Sequence, residues 1–379
     1  MAMSCDHPDL LPLDEALARL WAALPAPASP EVRADRDDPA ADLAAMDGVA
    51  LRSGDGTAPR RLLGTLYAGD DPAAFAVGPG TAVRIMTGAA LPAGADAVLP
   101  VEQLREADGA IHPLAAPEPR DHVRSRGGQA RAGDLLLPAG RPANVARTAL
   151  RAWVGQPVPP PSRVRVAVAS TGDELVAEPL PHQIRDSNGP MLAALAHALG
   201  AEVERRPALP DDPAALAAAL RNPGGARILV TSGGVSMGEH DHLPAVLKDL
   251  GARVLFHKVR LKPGKPMLAA QLGDLLVLGL PGNPVSAYLN ALLFLPVALA
   301  KLEGRGRPAP WRRARLAAPV RHRGDRPLLH PCRWEGERLQ PLPTRGSADL
   351  VTLAQADAFA WIEAPGAGAE AEVRFLTVL

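Results

Sequence analysis

Between residues 163 and 302, short β-branched or apolar segments alternate with helix-length amphipathic ones. Residues 163–170, 227–231, 253–256 and 274–279 read as strands; 191–199, 214–220, 243–250 and 285–302 read as helices. This alternation constrains the chain more than any other feature, because strands separated by helices form βαβ units and a doubly wound, mostly parallel sheet. Ligands of such sheets bind beyond the carboxyl ends of the strands, where the βα loops converge.

The flanking regions read differently. Residues 13–24 suggest a short helix, and 46–142 are punctuated by Gly and Pro between short apolar alternations, the pattern of small β-rich units. Helical spacing returns over 143–153, prolines from Pro157 to Pro161 mark a boundary, and the chain after Pro310 reads as short strands and turns. We expect four domains in this α/β multidomain chain: a discontinuous one from 1–45 and 120–162, a β-rich one over 46–119, the α/β domain over 163–308, and a small β domain over 309–379.

Composition excludes several function classes. Formal net charge is zero and 47% of residues are apolar, so no overall basic field favours nucleic acid. The arginines between 305 and 323 read as a solvated connector, since only Trp311 interleaves with them for base stacking. Two cysteines, Cys5 and Cys332, make neither a disulfide framework nor a zinc site. The apolar stretch 275–302 is interrupted by Pro281, Pro284, Asn290 and Pro296, which points to a buried strand and helix, not a membrane span. The first residues lack a signal-peptide pattern, so a cytoplasmic protein is expected.

Only five of the 41 basic residues are lysines, and three of those, Lys258, Lys262 and Lys265, lie within one short stretch. Compact ammonium groups suit oxyanions approached from several angles. Gly-rich loops end three of the expected strands: Ser170-Thr171-Gly172-Asp173-Glu174, Ser232-Gly233-Gly234-Val235-Ser236 and Pro281-Gly282-Asn283-Pro284. Glycines let backbone N–H groups approach an anion. One such turn alone is more often only a turn; three at one sheet edge, beside the lysines, point to a phosphorylated small molecule.

Carboxylates beside a phosphate loop need an intervening cation, and Mg2+ held by one or two of them plus phosphate oxygens is the usual solution. Glu174 and Asp241 are the better candidates; of Asp211 and Asp212, ahead of Pro213, one is expected to cap a helix. Asp241 sits between His240 and His242, but a zinc site there lacks a third ligand. Asp186 and Asn188 precede a helix and fit a cap or a ligand contact equally well. Asp47-Gly48 and Thr87-Gly88, taken alone, are turns.

Taken in order, Met46-Asp47-Gly48, Ile85-Met86-Thr87-Gly88, Ser170 to Leu175, Asp186-Ser187-Asn188, Thr231 to Ser236, Lys262-Pro263-Gly264-Lys265-Pro266 and Leu280 to Ser286 resemble the molybdopterin molybdenumtransferases, the MoeA family that includes the gephyrin E domain. The resemblance spans nearly the whole chain. It implies an α/β domain of the molybdopterin-binding type, β-rich N-terminal domains, and an elongated homodimer whose site draws on both subunits. The implied reaction takes adenylylated molybdopterin and molybdate, releases AMP with Mg2+, and places molybdenum in the dithiolene.

Carried over position by position, the family's functional residues fall on Asp47, Thr87, Glu174, Asp211, Asp241, Lys258, Lys262, Pro281, Pro284 and Ser347. We expect Asp241, Glu174, Asp47 and Thr87 to act in catalysis, and Glu174, Asp211 and Asp241 to hold Mg2+. Substrate binding is expected from Ser170, Thr171, Gly172, Asp186, Asn188, Ser232, Gly233, Gly234 and Ser236, from the three lysines, from residues Pro281 to Pro284, and from Ser347. A partner adenylyltransferase is also expected. The chain departs from the family at Val49, where a Tyr is usual, at Gln129, where a carboxylate is usual, and around Leu329 to Cys332, which leaves Arg326 as the match to an Arg-containing segment. Two alternative readings are a molybdopterin-binding scaffold without turnover and a molybdopterin adenylyltransferase.

Overall fold

Six strands build the main sheet in the computed structural model of this chain, which describes residues 10–158, 163–235 and 241–379. The residues divide into two compact units, one of Ser29–Val158 and one of Met1–Ala28 with Pro159–Leu379.

The larger unit opens with helix α1 (Leu13–Ala23), whose Leu13, Ala16, Leu17 and Leu20 recur at helical spacing and are buried. Its sheet then follows as β1 (Arg165–Ser170), β2 (Glu202–Arg205), β3 (Ile228–Ser232), β4 (Arg253–His257), β5 (Leu268–Leu272) and β6 (Leu275–Leu280). The helices between them are α2 (Asn188–Ala198), α3 (Pro213–Arg221) and α4 (Leu243–Asp249), and α5 (Pro284–Leu302) follows β6. In space the order is β2-β1-β3-β6-β5-β4. The first four strands are mutually parallel; β5 pairs antiparallel with β6, and β4 antiparallel with β5, so β4 again runs with the first four.

Sequence reasoning therefore finds the α/β layer but not β2 or β5. β2 is short and half-exposed, with Glu202, Glu204 and Arg205 in four residues, so no apolar run marks it. β5 pairs with β6 across Gly273-Asp274, a hairpin turn that makes this edge antiparallel.

Helix α5 is long and apolar enough to cross a membrane, but 83% of its most apolar window is buried inside the protein. It is the central core helix: Phe294 is fully buried, and its ring lies 5.3 Å from that of Phe256 on β4.

The C-terminal part of this unit is a closed barrel of β7 (Arg312–Leu316), β8 (Leu328–Glu335), β9 (Arg338–Pro341), β10 (Ala358–Ile362) and β11 (Glu372–Thr377), in the order β7-β9-β8-β10-β11. Helix α6 (Leu350–Gln355) precedes β10. The basic stretch read as a connector is corrected here. Arg312, Arg313 and Arg315 belong to β7, with Arg313 paired to Glu372 of β11. Trp311 packs edge-on against Trp361, and the Arg374 guanidinium lies 4.6 Å from the Trp311 ring centroid and 4.0 Å from that of Trp361.

The smaller unit centres on a second six-stranded sheet, ordered Ala97–Pro100, Gly48–Leu51, Thr81–Ile85, Arg60–Leu66, Ala110–Pro113, Leu104–Ala107. Gly48 is required where the chain enters it, because a Cβ there would sit 2.0 Å from the Leu99 carbonyl oxygen. Val49 next to it is fully buried with Leu51, Ala82 and Ala97.

Truncating Phe294 to Ala should cost about 3–5 kcal/mol, the range for a large aromatic lost from a packed core. Chemical denaturation of the larger unit should show a lower midpoint at unchanged slope; a shift under 1 kcal/mol would mean that α5 is not the centre of this core.

Candidate active site

Strand register builds the site. Ser170 pairs with Ser232, and Ser232 with Leu280, so β1, β3 and β6 end at one level. Their following loops, the three Gly-containing segments singled out in the sequence, emerge side by side. The chain runs from β1 outward to β2 and back across to β3, so the loops sit at the point where strand order reverses.

Side chains lock the loops together. The Asn188 amide, at the start of α2, donates to Ser232 Oγ and to the Gly282 carbonyl, both at 2.7 Å. Ser232 Oγ donates to the Pro281 carbonyl at 3.1 Å. Asp186 accepts from Ser170 Oγ at 2.7 Å and from Gly189 N at 2.8 Å, and pairs with Arg205 at 3.2 Å. The Asp186 carboxylate thus braces the β1 end internally, and the Asn188 amino group ties the end of β3 to the loop after β6, while Asn188 Oδ1 is buried without a partner.

Gly233, at φ +104°, passes so close to Thr171 that a Cβ would lie 2.5 Å from its hydroxyl. Gly172 carries the Glu174 carboxylate directly over it, with Oε2 2.4 Å from where a Cβ would stand. Glycine is needed at both for approach as well as for conformation. Of the two Asp residues ahead of α3, Asp212 is the cap, accepting from Ala215 N at 2.8 Å. Asp211 is joined to Asp173 twice, its carboxylate accepting from Asp173 N at 3.4 Å and its own N–H donating to Asp173 Oδ1 at 3.1 Å, and it borders a narrow cleft with Asp212, Thr171, Gly233, Gly234 and His242. Asp241 stands two residues ahead of α4. Ser236 lies outside the described residues, as do residues 238–240 of the two-histidine segment considered for zinc.

Among the described residues no group of three His, Cys, Asp or Glu side chains could hold a metal alone. The carboxylates of Asp211, on the cleft, and Glu174, over Gly172, are the hard oxygen donors that Mg2+ takes alongside phosphate oxygens and water.

The lysine turn forms the second part of the site. A cavity of about 620 Å³ lies between this turn, the start of α5 and the barrel. Lys262, Lys265 and Arg326 border it, together with the hydroxyl residues Ser286, Thr344 and Ser347. Pro281 and Asn283 reach it too, and the Asn283 side chain does not cap α5. Lys258 does not line this cavity; it has left-handed backbone (φ +69°), fixed by Lys258 N to Met267 O at 2.9 Å and Leu11 N to Lys258 O at 3.2 Å. The barrel holds the turn through Lys262 N to Pro327 O and Leu329 N to Lys262 O, at 2.9 Å and 2.7 Å. Val285 N, in the first turn of α5, donates to Ser347 O at 3.0 Å and fixes the Arg345-Gly346-Ser347 loop.

Three cations and several hydroxyls around one cavity can hold a multiply charged oxyanion. Two other ionisable groups border it. Burial lowers the His330 imidazole below its ordinary value, so it adds no fixed charge at neutral pH. Asp349 is held at about 2, first by the Arg345 N–H, then by the Thr352 hydroxyl and N–H.

Sequence reasoning placed neither group here, nor Arg326. Arginine is common in this chain, so only the rare lysines stood out; Arg326 was visible solely as the remnant of a family segment.

In the smaller unit Asp47 Oδ1 accepts from Thr87 N at 2.7 Å and from Thr87 Oγ1 at 2.8 Å. These bonds, the backbone one first, lower the Asp47 carboxyl below its usual range. The two sequence-nominated residues are therefore brought together as an ionised acid and its hydroxyl partner.

Three family descriptions match consecutive stretches: the MoeA N-terminal region (domains I and II) over 9–155, a probable molybdopterin binding domain over 167–300, and the MoeA C-terminal region (domain IV) over 313–374. The molybdopterin molybdenumtransferase of Synechococcus elongatus is 37% identical over 373 residues, 91% of each chain. That of Bacillus subtilis is 35% identical over 75% of this chain and 73% of its own. A crystal structure of the molybdopterin biosynthesis MoeA protein from Pyrococcus horikoshii superposes with a TM-score of 0.73 at 29% identity, covering 97% of this chain and 99% of that one.

Asp349 generates a pH prediction. Its folded carboxyl lies below the ordinary 3.8, so its contribution is complete above that value and is lost as pH falls through about 2. The protection of the 345–349 loop and the first turn of α6 against amide exchange, measured relative to the intrinsic rate at each pH, should fall between about pH 4 and pH 2, and Asp349→Asn should remove that pH dependence. Unchanged exchange in the variant would mean the carboxylate does not order the loop.

Proposed function

This chain belongs to the MoeA family of molybdopterin molybdenumtransferases, and from that membership we propose that it inserts molybdenum into molybdopterin, taking adenylylated molybdopterin and molybdate and releasing AMP. The observation that carries the reading is the convergence of three strand-end loops beside a cavity bordered by Lys262, Lys265 and Arg326. Full-length similarity to transferases, through both MoeA regions, favours this over an adenylyltransferase or a scaffold.

The residues divide the work as follows. Gly172 N and Gly233 N are bonded to Leu209 O and Leu280 O, so the backbone N–H groups of the Gly234 and Gly282 turns receive the phosphates of the ligand. Glu174, Asp211 and Asp241 would hold Mg2+, which when bound would neutralise phosphate charge. Lys262, Lys265, Arg326 and Ser347 hold molybdate, a tetrahedral dianion. Lys258 orders the start of the lysine turn. Asp47 with Thr87 orients water or ligand oxygen. The active protein is a homodimer in the cytoplasm, in which subunits pool these groups, and it receives its substrate from an adenylyltransferase.

Incubation with adenylylated molybdopterin, molybdate and Mg2+ should release AMP and yield active cofactor. Tight binding without AMP would identify a scaffold instead, and ATP-dependent adenylylation of free molybdopterin would identify an adenylyltransferase. Chelation of divalent metal should abolish AMP release, and Asp241→Asn should abolish turnover with ligand binding largely kept; AMP release within a few-fold of wild type would reduce Asp241 to a loop charge. Mixing Asp47→Ala with Glu174→Ala protein should restore activity through heterodimers, and failure despite subunit exchange would argue against pooled sites.

Lys262→Ala or Lys265→Ala should weaken molybdate binding by roughly 1.5–3 kcal/mol, about ten- to a hundred-fold. Lys→Arg should not rescue fully, since a planar fork cannot replace a compact ammonium beside Pro263-Gly264. Unchanged calorimetric affinity in both alanine variants would leave the lysines as solvated surface charges.

A further inference from the structure

Helix α5 buries 15 of its 19 residues, and one of the buried positions is Asn290, fully inaccessible in an otherwise largely apolar helix. Asn is a poor helix former, and an apolar side chain would suit this environment better. Its Nδ2 donates to Ser286 O, one turn back, and to Gly264 O, both at 3.1 Å. Its Oδ1 has no partner. Both neighbours are acceptors, so the amino end must face them and the carbonyl end is left over. A buried unsatisfied acceptor is unfavourable, and its presence calls for a reason.

Gly264 supplies that reason. It lies between Lys262 and Lys265 at φ +113°, and a Cβ there would come 2.8 Å from Asn290 Nδ2. Helix and turn thus approach as closely as glycine permits. The outer ends of the turn are tied at Lys262 to Pro327 and Leu329, and at Lys265 O to Val259 N and Met267 N. Between those ties the Asn290 amide holds the Pro263-Gly264 segment. An apolar residue at 290 would fill the space but could not donate to the turn.

We propose that Asn290 is a positioning residue, which acts through Gly264 to fix the two lysines at the spacing an oxyanion requires. The proposal rests on the assignment of the cavity to molybdate. Asn290 never touches the anion; it sets the backbone from which both ammonium groups project.

The test is calorimetric titration of the full-length protein with molybdate alone. Asn290→Ala removes both hydrogen bonds, whereas Asn290→Ser keeps a hydroxyl able to reach Ser286 O within the helix but not Gly264 O. Both variants should bind molybdate about ten-fold more weakly, as expected for loss of a buried hydrogen bond. In the Asn290→Ser background Lys262→Ala should cost less than in wild type, because both changes act on one contact network. If Asn290→Ala fails to fold, Asn290→Ser carries the measurement. Folded variants that lose thermal stability but keep wild-type affinity, with Lys262→Ala still impaired, would reduce Asn290 to a structural residue and overturn the proposal while sparing the functional reading. Wild-type protein that binds no molybdate would overturn both.

Discussion

Ser170, Ser232 and Leu280 close three adjacent parallel strands at one level, and Asn188 reaches from the next helix to bind two of the loops that follow. Everything in the larger unit's site depends on that coincidence of register. A slip of one residue would turn Ser170 or Ser232 to the opposite face and part the loops. Gly233 can approach Thr171 only because the two strands deliver them at the same height. Asp186 and Asn188 are better understood as the fasteners of this arrangement than as free ligands.

A second constraint acts on the lysine turn, which no regular secondary structure supports. It is held instead from several directions: Leu11 ahead of α1, Pro327 to Leu329 in the barrel, and Asn290 within α5. Segments more than 200 positions apart in sequence, Leu11 and Leu329, therefore meet at one short turn. Lys262 and Lys265 are thus carried to the cavity by backbone ties on either side of them. Asp349, the carboxylate on the same cavity, is engaged by the Arg345 and Thr352 groups and orders the Ser347 loop.

The departures from the family pattern acquire physical meaning in the smaller unit. Val49 is a core residue here, fully buried between neighbouring strands, so this position gives packing and not a phenol. Gln129 sits opposite Arg124 at 3.5 Å, with its backbone N–H bonded to Asp38 O. Neither change disturbs the Asp47–Thr87 pair, whose geometry comes from Gly48 and the adjoining strand ends.

The sequence by itself determined the α/β layer and the strand-end loops, because strand–helix alternation and Gly-rich turns are local signals. It also nominated Asp47 with Thr87 and Lys262 with Lys265. Tertiary structure alone decided which nominees line the cavity or cleft and which are hydrogen-bonded within the fold. Asp211 and Asp212 both border the cleft, but the Asp212 carboxylate caps a helix while that of Asp211 accepts from Asp173 N. Arg326, His330 and Asp349 enter the site because the barrel folds against the lysine turn, and Asn290 because α5 passes beneath it. Such long-range meetings leave no periodic trace in the chain, since each partner also satisfies the local demands of its own strand, loop or helix.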